Sequence, residues 1–97
     1  MIINLRFNKY PIYYSEDWDT YAIYLNKVKY YLTKADIFCS TNFSLQRILS
    51  IRNITRFNSE YKVQENMTRN NYKPCNPQQK VIDCFDSIIK YHSENQL

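Results

Sequence analysis

A chain of 97 residues without a single glycine has to build every tight turn from residues that carry a Cβ. A positive φ costs such residues roughly 1–2 kcal/mol, and Asn and Asp, whose short polar side chains bond locally, tolerate it best. Turns of this kind are therefore expected at Asn8, Asn42, Asn58 and the Asn70-Asn71 pair. The same absence excludes the motifs in which glycine lets backbone approach a phosphate or a nucleophile. There is no P-loop, no dinucleotide-binding turn and no G-x-S-x-G elbow. Only two alanines are present beside an excess of Ile, Asn, Lys and Tyr. That exchange of GC-rich for AT-rich codons points to an AT-rich genome, such as that of a low-GC bacterium, its phages or some eukaryotic parasites.

Hydrophobic residues make up 44% of the chain and ten tyrosines lift the aromatic share to 16%, enough apolar surface for one modest core. A single compact α+β domain over residues 1–97 is the expectation. No apolar run approaches the roughly 20 residues of a membrane span, and the start, MIINLRFNKY, has no signal-like apolar core. Three cysteines, an odd number without regular spacing, argue for a reducing, cytoplasmic setting over a disulfide framework.

Residues 15–34 predict a helix. Trp18, Tyr21, Leu25, Val28 and Leu32 recur at steps of three and four with Ala22 beside them, which gathers them on one helical face. Ser15 is placed as N-cap, Glu16, Asp17 and Asp19 lie in the first turn, and Lys34 lies in the last. A second helix follows Asn76 as cap and Pro77 at the first position. Its stripe is Val81, Ile82, Phe85, Ile88 and Ile89, with Asp83, Asp86, Lys90 and Glu94 opposite.

Elsewhere the pattern favours strands. Ile3, Leu5 and Phe7 alternate within residues 2–7, and Pro11 closes that segment. Over 43–57 helix and strand compete; a helix would set Arg52 and Arg56 among Leu45, Ile48 and Leu49, so the strand is preferred. Asn58-Ser59-Glu60 then predicts a hairpin turn into a strand over 61–67, where Tyr61 and Val63 alternate with Lys62 and Gln64. The expected order is β-α-β-β-β-α, an α+β fold with two amphipathic helices on one face of a three- to four-stranded antiparallel sheet.

The formal net charge of +4 is concentrated in residues 43–73. Arg47, Arg52, Arg56, Lys62, Arg69 and Lys73 stand there against Glu60 and Glu65 alone. On a 50–57/61–67 hairpin, Arg52, Arg56 and Lys62 would share a solvent face and meet phosphates or an acidic protein surface. Edge strands also carry such cations simply to discourage aggregation. A second candidate surface is the far side of the 15–34 helix, where Ile23, Lys27, Tyr30 and Lys34 align. An Ile and a Tyr framed by lysines suit protein hot spots or stacked bases, although lone exposed apolar residues are common.

Catalytic chemistry has little to draw on. His92 is the only histidine, and Cys39, Cys75 and Cys84 include no C-x-x-C pair, so neither metal nor cofactor is expected. Cys75, just ahead of a helix N-terminus, is the candidate reactive thiol through a lowered pKa, but nothing marks an oxyanion site beside it. The sequence thus points to a small cytoplasmic, non-enzymatic binding protein with no membrane partner. A phage or mobile-element inhibitor of the anti-CRISPR kind, docking on a host nucleic-acid-handling complex, fits the size and composition. The alternative is a small basic DNA- or RNA-binding regulator that contacts phosphates through residues 43–73.

Overall fold

Where steps of three and four predict one helix over 15–34, the chain folds back on itself at Asn26-Lys27. The computed structural model describes residues 10–38 and 53–94, the last three of these by their backbone alone. Its elements are β1 (Tyr13–Ser15), β2 (Thr20–Leu25), β3 (Val28–Thr33), α1 (Lys34–Phe38), β4 (Ile54–Arg56), α2 (Glu60–Arg69), β5 (Lys73–Pro74) and α3 (Gln79–Glu94). The five strands form one antiparallel sheet in the order β4-β3-β2-β1-β5.

The hairpin explains why the helical pattern misleads. Asn26 and Lys27 both have positive φ, 51° and 66°, as a two-residue turn matched to strand twist requires. The resulting register pairs Tyr21 with Leu32, Ile23 with Tyr30 and Leu25 with Val28, so all six side chains share one face of the sheet. The two stripes that a helix would hold on opposite sides therefore merge into one. Period-two alternation is hidden because β2 is covered on both faces: Ala22 and Ile23, neighbours in sequence, are each fully buried. A strand buried on both sides reads as a continuous apolar run. The β-branched and aromatic residues of 20–33 then favour strand over helix.

Ser15 does accept the backbone N–H of Trp18, at 3.4 Å, as a cap would. Here that contact opens the 16–19 turn between two strands. Asp19 ends the turn at φ 51°. Asp19, Asn26 and Asn71 take positive φ as Asn and Asp were expected to, and Lys27 is the remaining such residue among those described. Of the sites named from the sequence only Asn71 is among them, since Asn58 and Asn70 have no positive φ and Asn8 and Asn42 lie outside the described residues.

Residues 61–67 are also helical, not extended. Ser59 adopts the extended cap conformation and its side chain accepts from Lys62 N, with Glu60 in the first turn and Arg69 in the last. An alternation of only four residues is too short to fix a period, and the capping signals outweigh it. The final helix forms as expected, with Val81, Ile82, Phe85 and Ile88 buried. It begins two residues later than expected: the Gln78 carbonyl accepts from Val81 N and Ile82 N, which leaves Asn76 and Pro77 ahead of the helix.

The front face of the sheet packs against α3 and α1. Ile12, Ile23, Val28, Tyr30 and Leu32 join Ile37, Val81, Phe85 and Ile88 in one cluster, each large side chain contributing about 1.5–3 kcal/mol of burial before entropy. The back face carries Tyr13, Ala22, Tyr24, Lys29 and Tyr31, and α2 lies over it. Tyr24 Oη donates to Asn66 Oδ1 on α2 at 3.0 Å, and Val63 and Tyr72 are buried. Helices thus cover both faces, where the sequence had placed them on one, because 60–69 became a helix on the side opposite α3. The mixed α+β class with an antiparallel sheet holds. The strand expected over 43–57 is present at Ile54–Arg56; residues 2–7 and 39–52 lie outside the described residues. Among the described residues, no helix is long and apolar enough to cross a membrane.

Candidate functional site

The candidate residues read from the sequence do not converge. Ile23 and Tyr30 are cross-strand partners, 0% and 9% exposed, so both belong to the core and not to the exposed helix face that the sequence predicts. Lys27 is at the hairpin tip and Lys34 opens α1, so they flank β3 at its two ends. Arg47 and Arg52 lie outside the described residues. Arg56 is exposed on β4. Lys62 and Arg69 sit on α2 and both pair with Glu65, at 3.5 and 3.0 Å. The hairpin strip expected of Arg56 and Lys62 is not formed, because Lys62 belongs to a helix.

Cys75 is also corrected. Burial pushes its thiol up, and its Sγ donates to the Ile12 carbonyl at 3.4 Å. With α3 starting at Gln79, desolvation outweighs any help from the helix N-terminus. Cys84, 5% exposed, is raised by burial as well. Among the described residues, no group of three or more His, Cys, Asp or Glu side chains could hold a metal ion.

A different site emerges on the back face. Helix α2 covers Tyr24 but leaves a cleft of about 300 Å³ lined by Trp18, Thr20, Lys29, Tyr31, Thr55, Asn70 and Tyr72. Strand alternation builds its floor: Thr20, Lys29, Tyr31 and Thr55 all project from the back face in the hairpin register. Trp18 stands at the rim, 63% exposed, and its indole N–H donates to Asn70 Oδ1 at 3.0 Å. Asn70 is itself fixed, since its Nδ2 donates to the Asn66 carbonyl at 3.0 Å. Its own carbonyl accepts from the buried Ser15 hydroxyl at 2.6 Å. The indole is therefore held in place although most of it faces water.

Among the described residues, Lys29 is the only charged group lining this cleft. Its Nζ lies 4.5 Å from the Tyr72 ring centroid and 5.2 Å from that of Tyr31, within cation–π range. Burial pushes its pKa below the ordinary lysine value. Among the described residues it makes no ion pair. The arrangement offers a cation framed by ring faces beside a positioned indole. It has the parts of a recognition site and lacks a nucleophile with an adjacent base. Sequence reasoning missed it because Lys29 and Tyr31 share a face only in a strand, and Trp18 was assigned to a helix.

Compared with known protein families, curated proteins and solved structures, the chain matches none.

Proposed function

We propose that this chain is a small non-enzymatic protein that acts by docking on a protein partner, with Trp18 as its anchor. The observation that carries this reading is the exposed indole tied to Asn70. Tryptophan is enriched at interface hot spots, and a side chain already fixed in position loses little conformational freedom on binding.

The charges around Trp18 favour protein over nucleic acid. Glu16, Asp17 and Asp19 share its turn and repel a polyphosphate chain, whereas Lys62 and Arg69 are already engaged by Glu65. A carboxylate-flanked tryptophan suits a basic protein surface with an apolar pocket, the kind of surface that nucleic-acid-handling proteins present. Together with the AT-biased composition, this supports a phage or mobile-element inhibitor that acts on such a host complex in the cytoplasm.

The test is affinity capture from a low-GC bacterial lysate with the wild-type chain, Trp18→Ala and Lys90→Ala as baits. The expected result is a partner retained by wild type and Lys90→Ala and lost with Trp18→Ala. Fluorescence anisotropy against generic DNA and RNA across a salt series runs beside it. Micromolar binding that weakens steeply with salt would replace this reading with the nucleic-acid regulator.

A further inference from the structure

We infer that Lys29 is the anion-recognition point of the back-face cleft, and that it receives a carboxylate from a protein segment whose neighbouring residues are basic. The inference deepens the docking reading and rests on it.

A half-buried ammonium is costly unless something compensates it. Tyr31 and Tyr72 provide part of that compensation through their ring faces. A ring face accepts no conventional hydrogen bond, however, and an ammonium has three donors. Among the described residues Lys29 Nζ makes neither a hydrogen bond nor an ion pair. Its donors are therefore left for a group that enters the cleft, which at about 300 Å³ sits at the lower end of ligand-pocket size and has room for a single side chain.

The ligand chemistry follows from what surrounds Lys29. One cation matches one carboxylate; phosphate recognition usually gathers several cations or a bidentate arginine. A nucleic acid leaving the cleft would carry its next phosphates past Glu16, Asp17 and Asp19 on the Trp18 turn. The same three carboxylates attract lysine or arginine residues that flank an acidic one. Thr55 adds a hydroxyl on the cleft floor, and the Trp18 ring can cover the aliphatic stem of the entering side chain.

Trp18 is the only tryptophan in the chain, so its emission reports on the cleft directly. The experiment titrates the full chain with three probes: the capped peptide Lys-Leu-Glu-Leu-Lys, its Gln counterpart, and oligothymidylate. The Glu peptide is expected to bind about tenfold more tightly than the Gln peptide, the scale of one charge-assisted hydrogen bond. That preference should vanish in Lys29→Met, which keeps the stem without the charge, and persist in Lys29→Arg. Circular dichroism checks that both variants fold. Equal binding of the two peptides, an unchanged preference in Lys29→Met, or no response to any probe would overturn the inference. Tighter binding of oligothymidylate than of the Glu peptide would overturn it in favour of phosphate. The two readings fail separately: a missing carboxylate preference alongside Trp18-dependent capture removes only the role of Lys29, whereas capture indifferent to Trp18→Ala removes the docking reading itself.

Discussion

Tyr24, on the back face of β2, donates its phenolic hydrogen to Asn66 Oδ1 on α2 at 3.0 Å. The two residues are 42 apart in sequence, and the bond ties α2 to the back face of the sheet. The Tyr24 ring packs edge-on against Tyr13 and Tyr72, with centroids 5.8 and 6.1 Å away. Tyr24→Phe keeps these contacts and removes the hydrogen bond alone. Urea denaturation should show a loss of about 1 kcal/mol with an unchanged m-value.

Alkaline pH should loosen the same layer. Burial pushes the Tyr72 phenol from 10.0 to about 12 and raises Tyr24 too. Both stay protonated in the folded chain at pH values where the unfolded chain has lost the proton. Their stabilisation is complete below pH 10 and is lost as pH rises toward 12, on the order of 2–3 kcal/mol for Tyr72. Lys29 acts in the opposite sense. Its folded pKa is lowered by burial, so its cost is relieved as pH climbs through that value toward the ordinary 10.5. Stability measured by chemical denaturation, with tyrosinate absorbance followed in parallel, should rise slightly and then fall steeply. Tyr72→Phe should blunt the fall.

The hairpin tip is a place where the chain can be improved. Lys27 holds φ at 66° with a Cβ in the way, at a position where type I′ turns favour glycine. Lys27→Gly is expected to stabilise the fold by about 1 kcal/mol, seen as a higher thermal midpoint. No gain would mean that Lys27 makes a compensating contact.

Ile23→Ala separates the two readings of residues 15–34. On an exposed helix face it would change stability by less than about 0.5 kcal/mol. In the hairpin, where Ile23 is 0% exposed and faces Tyr30, the expected loss is about 2–5 kcal/mol. That is a large share of the stability of a domain this size.

Ser59→Ala tests the helix that the strand reading overlooked. Its side chain accepts from Lys62 N at 3.3 Å, so removal should cost about 1 kcal/mol and should lower amide-exchange protection in the first turn of α2.

How far the sequence could be read depended on how many sides of each element are buried. The final helix was legible because α3 buries one stripe and exposes the other, leaving Val81, Ile82, Phe85 and Ile88 against Asp83 and Lys90. The hairpin was not, because β2 is covered on both faces and no polar residue marks a solvent side. Tyr21, Leu25, Val28 and Leu32 satisfy a helical repeat and a two-residue hairpin equally well, since the hairpin pairs Leu25/Val28 and Tyr21/Leu32 are three and eleven residues apart, spacings that also share a helix face. The local signal, an Asn-Lys pair between two runs of β-branched and aromatic residues, does not by itself choose between the two. The back-face cleft was lost with the hairpin, because Lys29, Tyr31 and Trp18 come together only through cross-strand register and the hold of Asn70.

By itself, then, the sequence determined the α+β class, the absence of glycine-dependent phosphate and nucleophile motifs, the left-handed duty of Asn and Asp, and the C-terminal amphipathic helix. Each of these rests on residue type or on a one-sided pattern within a single segment. Tertiary structure alone decided that 20–33 is a hairpin, that α2 lies opposite α3, and that Ile23 and Tyr30 are core while Lys29 and Trp18 line a cleft. Those outcomes depend on which distant surfaces cover each face of the sheet, and coverage from both sides erases the periodicity by which a segment announces its own structure.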